Sequence, residues 1–157
     1  MATQELLNLS QFVFSRLRAA SPVETLKLQK LLYYCNAWSL ALRDSPMFTD
    51  SIQAWKHGPV VASLYPFHRR LAVIDEWPHG DANEIDAADK EFANQIISLY
   101  GGRSGWALRE LTHRESPWIE AWRESKNGEV LGYEISREAM SNFYRQELAK
   151  AKAKLTE

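Results

Sequence analysis

The side chains of this sequence that could do chemistry are four histidines, one cysteine and two lysines set into an apolar stretch. His57, His68 and His79 recur every eleven residues, a spacing that would align them on one face of a continuous helix as metal ligands or a proton path. Gly58-Pro59 and Trp77-Pro78 interrupt any such helix, because proline lacks the N–H an interior turn needs and restricts the residue before it. No two histidines have the i, i+4 spacing of a zinc-binding helix, and no carboxylate cluster accompanies them. No metal and no cofactor is expected. Cys35 stands alone, which excludes a disulfide within the chain and a cysteine-based zinc cage. With no cation or helix start beside it to lower its pKa, it reads as a small buried hydrophobe.

Lys27 and Lys30 lie three apart among apolar neighbours, close in sequence to Tyr34 and Trp38. A lysine in such a place must snorkel to water, pair with a carboxylate or face a partner. His57 sits in the segment Trp55-Lys56-His57-Gly58-Pro59-Val60. Its functional reading is a hydrogen-bonding group at a binding concavity; its structural reading is a half-buried histidine that satisfies the turn. Thr112-His113 and Pro117-Trp118 form a second cluster, explained as a corner between two helices in which Thr112 and His113 bond freed carbonyls and Ser116 caps the next helix. Lys30, His57 and His113 could converge in a small-molecule or catalytic site. The sequence, however, has no nucleophile elbow, phosphate-binding glycine loop or dinucleotide fingerprint, so no enzyme is expected.

The elements that must position these groups are mostly helical. Leu6, Leu9, Val13 and Leu17 follow a helical period, with Phe12 and Phe14 broadening the face. Ser21-Pro22-Val23-Glu24 predicts a helix start with Ser21 as cap, and the helix extends to Arg43. Leu28, Leu31, Leu32, Cys35, Trp38 and Leu42 line one side of it, and Leu26, Tyr33, Ala37 and Ala41 cover the other. A helix apolar nearly all round belongs at the centre of a fold. Phe48, Ile52 and Ala54-Trp55 suit a short extended piece, and Pro59 is expected to open a third helix through Tyr65. The stretch from Asp75 to Asn83 reads as a polar loop tolerant of insertion. Further helices are predicted from Asp86 to the Gly101-Gly102 stop (Ile85, Ala88, Phe92, Ile96 and Leu99 as its face), after Ser104, at Pro117 and after Ser136. Val130 to Ile135 suits a short strand. The expectation is a mainly α, single compact domain over 1–157, about six helices around the central apolar one with at most a small β element.

Composition narrows the function classes. An apolar fraction of 45% excludes a disordered chain, and six tryptophans supply anchors suited to a binding surface as well as a core. Nineteen basic residues against twenty acidic ones leave a formal charge of −1, without the basic excess of a nucleic-acid binder. No apolar run approaches the roughly 20 residues of a membrane span, and the start lacks a basic segment followed by an apolar core. The expectation is a cytoplasmic protein with no membrane or nucleic-acid partner.

Four stretches then carry a resemblance: Leu28-Gln29-Lys30-Leu31-Leu32-Tyr33-Tyr34 with Trp38; Met47-Phe48, Ile52 and Ala54-Trp55 with Gly58-Pro59-Val60 and Tyr65; Leu111-Thr112-His113 with Pro117-Trp118; and Ile135 with Phe143-Tyr144. In this order and spacing they resemble the Panacea domain of SocA-like antitoxins, also met as phage-associated GepA-like proteins. The resemblance implies an antitoxin that neutralises a cognate protein toxin by direct binding. One strategy it implies is that of a proteolytic adaptor, handing the toxin to a ClpXP-type protease. The toxin-facing surface is expected at Trp55, Lys56, His57, Gly58, Pro59 and Val60, adjoining Lys30, Tyr34 and Trp38. There the Gly-Pro turn fixes the backbone and side chains beside it lose little entropy on binding. Tyr65, Thr112, His113, Pro117 and Trp118 are expected to serve the architecture.

Overall fold

The computed structural model describes residues 1–156. Helix α1 (Gln4–Arg18) starts on Thr3, whose hydroxyl accepts the Leu6 N–H, and buries Leu6, Leu9, Phe12, Val13 and Phe14. After it come strand β1 (Val23–Glu24) and the long helix α2 (Thr25–Arg43), then strands β2 (Ile52–Trp55) and β3 (Gly58–Val61), a 3₁₀ segment (Ala62–Phe67) and β4 (Val73–Ile74). Four further helices follow: α3 (Ala87–Tyr100), α4 (Gly105–Thr112), α5 (Ser116–Glu124) and α6 (Arg137–Leu155). The fold is thus mainly α, with two antiparallel two-stranded sheets, β1 with β4 and β2 with β3. Helix α2 is the centre: α1, α3, α4, α6 and β3 all pack on it, and Leu28, Leu31, Leu32, Tyr33, Tyr34, Cys35 and Ala37 are almost wholly excluded from water.

Polar side chains of α2 clip the chain that follows it. Asn36 Oδ1 accepts the N–H groups of Met47 (2.8 Å) and Phe48 (3.2 Å). Two turns earlier, Gln29 Oε1 accepts the Val61 N–H (2.8 Å) while its Nε2 donates to the Val61 carbonyl (3.3 Å). Gln29 therefore substitutes for a third strand along the free edge of β3, satisfying backbone groups that burial would leave unpaired at a cost of about 1–3 kcal/mol each.

Several sequence expectations are corrected here. Pro59 does not open a helix: β3 runs from Gly58 to Val61, antiparallel to β2 with Ala54 opposite Pro59. The absent proline N–H falls where β3 turns its polar groups away from β2 and toward α2, so no ladder bond is lost. The two valines favour the extended form. Likewise, α2 begins at Thr25, because Val23 and Glu24 pair with Ile74 and Val73. The Glu24 carboxylate instead accepts the Gly105 N–H (3.0 Å), completing the start of α4. Only a single bridge, Gln53 to Glu134, forms where a strand over Val130–Ile135 was expected. Ser116 is the first residue of α5 rather than its cap. Ala88, Leu99 and Leu42 are exposed, and the buried face of α3 is Phe92, Ala93 and Ile96.

The Asp75–Asn83 stretch is docked, not free. Trp77 is buried and its Nε1–H donates to Ser10 of α1 (2.8 Å), while the Asp81 N–H reaches Asn8 (2.8 Å). Gly80, at φ +81°, lies so close to the α1 backbone that an added Cβ would come 2.1 Å from the Leu7 carbonyl oxygen. Trp77→Phe, which keeps an apolar ring but deletes the donor, is expected to lower stability by about 1–2 kcal/mol. Urea denaturation measures it; an unchanged midpoint would return this stretch to the status of a tolerant loop.

Candidate functional site

Strands β2 and β3 meet in the two-residue turn Lys56-His57, both exposed, with Trp55 half-buried before it. The turn closes on Gly58, whose φ of +107° lies in the region open to glycine. An added Cβ there would stand 2.7 Å from Lys30 Cε and 2.9 Å from Thr112 Oγ1. The hairpin tip is therefore pressed against α2 and α4.

It is also buttressed from the side. Trp118 of α5 donates its Nε1–H to the Trp55 carbonyl (2.8 Å) and stacks flat on His113, with centroids 3.9 Å apart and planes 5° apart. Trp122 continues the stack at 5.4 Å. Burial first, and the Arg109 charge second, hold the His113 pKa below the usual imidazole value, so the stacked ring is neutral at pH 7. Its Nε2 is buried without a hydrogen-bond partner among the described residues. Thr112 Oγ1 donates to the Arg109 carbonyl (2.8 Å), Pro117 is the second residue of α5, and Tyr65 meets Trp55 edge-on at 5.0 Å.

Two concavities flank the tip. One, of about 460 Å³, opens between α2, the hairpin and the 3₁₀ segment, with Leu26, Trp55, Val60, Tyr65 and Leu71 among its walls and Lys30, His57 and His68 contributing polar groups. The other, of about 510 Å³, lies beyond Trp55 and Lys56 against Trp122, Val130 and Leu131; Leu131 is 90% exposed. Trp55 and Lys56 border both, so the tip is a ridge between two apolar hollows.

Lys30 overturns the expectation of snorkelling or ion pairing. It is wholly buried, its Nζ donates to the Pro59 carbonyl (3.0 Å), and no carboxylate pairs with it among the described residues. Burial, reinforced by the Arg109 charge, pulls its pKa down to about 7. The sign of the pH effect follows. Between about pH 7 and 10.5 the unfolded chain holds a proton that the folded chain has released, so stability rises with pH across this window. Measured against Lys30→Met, the wild type is expected to gain stability from pH 7 to pH 10, read as urea midpoints. Parallel pH profiles would mean that Lys30 titrates normally.

Tyr34 and Trp38 belong to a different network. The Glu115 carboxylate accepts the hydroxyls of Tyr34 (2.7 Å) and Tyr144 (3.0 Å), Tyr33 and Tyr144 share a further bond (3.0 Å), and Trp38 donates to Tyr100 (2.8 Å). Desolvation raises the pKa of Glu115 and of Tyr34 alike. The cluster joins α2, α3, α6 and the start of α5. Burial takes Lys30, Tyr34, Gly58, Pro59 and Val60 off the outer surface that a protein partner would meet, although Lys30 and Val60 still line the first hollow. Trp38 is half-buried, and Trp55, Lys56 and His57 remain as the accessible part of the expected surface.

Sequence reasoning missed Arg109, whose Nε–H donates to His57 Nδ1 (3.0 Å) and whose guanidinium lies 4.3 Å from the ring of the exposed Trp106. It also missed the Gln29 clip. The seven-residue interval between Gln29 and Asn36, two polar residues on one face of an otherwise apolar helix, was the available signal. The Gln29–His68 contact and the Lys30–Pro59 bond join groups 39 and 29 positions apart in the chain, beyond the reach of any local pattern.

No helix of the described residues is long and apolar enough to cross a membrane. No curated protein and no solved structure matches this chain. The family model of the antitoxin SocA-like, Panacea domain matches residues 28–119, a span that begins in α2, takes in the hairpin with Lys30 beneath it, and ends just past the His113–Trp118 stack. The chain belongs to the SocA-like antitoxin family and carries its Panacea domain.

Proposed function

We propose that this protein neutralises a cognate protein toxin by binding it directly, with the hairpin tip as the contact ridge. One observation carries the reading: Trp55, Lys56 and His57 project between two apolar hollows on a backbone braced by α2, α4 and α5. A rigid ridge with an aromatic and a basic side chain beside fillable hollows has the makings of a binding hot spot, since little conformational freedom is lost on docking. Lys30, Gly58, Pro59 and Val60 hold this ridge from within, and Tyr34 and Trp38 brace α2 behind it. The whole of 1–157 acts as one domain, because α6 lies along α2 and completes the Glu115 network. Binding serves either to block the toxin or, as an adaptor, to present it to a ClpXP-type protease in the cytoplasm. The role is one of recognition rather than catalysis.

Co-expression with the product of the neighbouring reading frame tests it. Wild type is expected to rescue growth, and Lys56→Ala and His57→Ala each to weaken the purified complex by about tenfold while leaving the melting temperature nearly unchanged. If both variants lost stability yet kept full affinity in the folded fraction, the hairpin would be architectural and the contact surface elsewhere.

A further inference from the structure

We propose that the hollow between α2, the hairpin and the 3₁₀ segment is a binding site for a small monocarboxylate with an apolar, ring-sized body. It shares Trp55, Lys56 and His57 with the toxin-facing ridge but rests on a different group, the buried Lys30. Its size of about 460 Å³ falls in the range of small-molecule pockets, and its walls of Leu26, Val60, Tyr65 and Leu71 suit an apolar body. The charges are one-sided. Lys30, Lys56 and Arg70 line it together with His57 and His68, and no aspartate or glutamate of the described residues does, in a chain whose overall charge is −1.

The histidines do not supply the missing negative charge. Gln29 Nε2, an amide donor, lies 2.9 Å from His68 Nε2, which therefore accepts. His57 Nδ1 accepts from Arg109, leaving its proton on Nε2 as a donor at the edge of the hollow. The groups whose charges act on Lys30 or feel its charge are Arg109, His57, His68 and His113, and Arg109 already has Glu110 at 2.8 Å. A buried ammonium with one carbonyl acceptor and no counter-ion is costly, and such unbalanced groups beside a cavity mark functional sites. One buried cation is balanced by one negative charge, which favours a carboxylate over a dianionic phosphate. Lys56 and Arg70, both exposed, would steer it inward.

Calorimetry with 3-phenylpropionate and its neutral amide tests the site. The acid is expected to bind at least about tenfold more tightly than the amide. At pH 8 its binding should draw a proton from buffer, because the bound anion favours the charged form of Lys30. Lys30→Met should abolish the preference for the acid. The proton-uptake measurement needs no variant, so it decides the matter even if Lys30→Met fails to fold. N-acetyl-Gly-Gly-Phe with a free carboxylate separates the two sources of this chemistry: tighter binding than 3-phenylpropionate assigns the site to a chain terminus, weaker binding to a free acid. Equal affinity for acid and amide, no binding of either acid at about 10 mM, or binding without proton uptake at pH 8 would overturn the proposal.

Discussion

Trp118→Ala is expected to destabilise the protein by about 3–5 kcal/mol, the range for a large aromatic removed from a packed core. Three losses coincide. The side chain is buried, so its removal opens a cavity that the short helix α5 cannot collapse into without moving. The Trp55 carbonyl loses its donor at 2.8 Å. His113, stacked on Trp118 at 3.9 Å and already lacking a partner for Nε2 among the described residues, loses the ring that covers it. Trp118→Phe separates these terms: it restores most of the apolar volume but not the hydrogen bond, and should recover more than half of the loss. Urea denaturation of the two variants measures this. A loss under about 1 kcal/mol for Trp118→Ala, the size of an ordinary surface change, would mean that the corner is loosely packed and does not support the hairpin.

Gly58→Ala is expected to cost about 2–4 kcal/mol, combining a backbone angle that L-residues rarely adopt with steric overlap. The overlap is with Lys30 Cε and Thr112 Oγ1, and neither can move freely: Nζ is tied to Pro59 and the hydroxyl to Arg109. The strain therefore passes to the position of the tip itself. Unlike Trp118→Ala, this variant should distort the ridge even in the fraction that folds. Toxin affinity corrected for the unfolded population is expected to fall as well, whereas a stability near that of the wild type would show that the hairpin rides free of α2.

The helical skeleton was legible because its signals are local. Leu6, Leu9 and Val13 repeat at helical spacing and are buried as that period requires, and Ser104 and Ser136 cap α4 and α6 from the positions their types suggest. Misreadings arose where a distant group satisfies a local one. Pro59 reads as a helix start until Gln29 and Lys30, about thirty residues earlier, are seen to serve the free edge of β3. Val23-Glu24 reads as a first helical turn until β4 arrives to pair with it. Trp77, set among Asp, Glu, Pro and Gly, reads as a loop residue until Ser10 supplies its partner.

The candidate site divides along the same line. Gly58-Pro59 does signal a chain reversal near Trp55, Lys56 and His57, although the turn itself falls on Lys56-His57 and Gly58-Pro59 opens β3. The sequence does not say whether each neighbour faces out or in: it placed Lys30 and Tyr34 on the surface, and the elements packed on α2 bury both. An amphipathic helix would have declared its outward side; α2 is apolar all round and declares none.

Hydrogen exchange on the complex with the neighbouring reading frame's product is the most direct test of the central claim. Backbone amides of residues 53–58, 60 and 61, together with those around Val130 and Leu131 in the adjoining hollow, are expected to gain protection on binding, while the α3 surface around Leu99 exchanges as in the free protein. Protection confined to α3 or α6, with the hairpin tip exchanging at its free rate in a complex that still silences the toxin, would contradict the account.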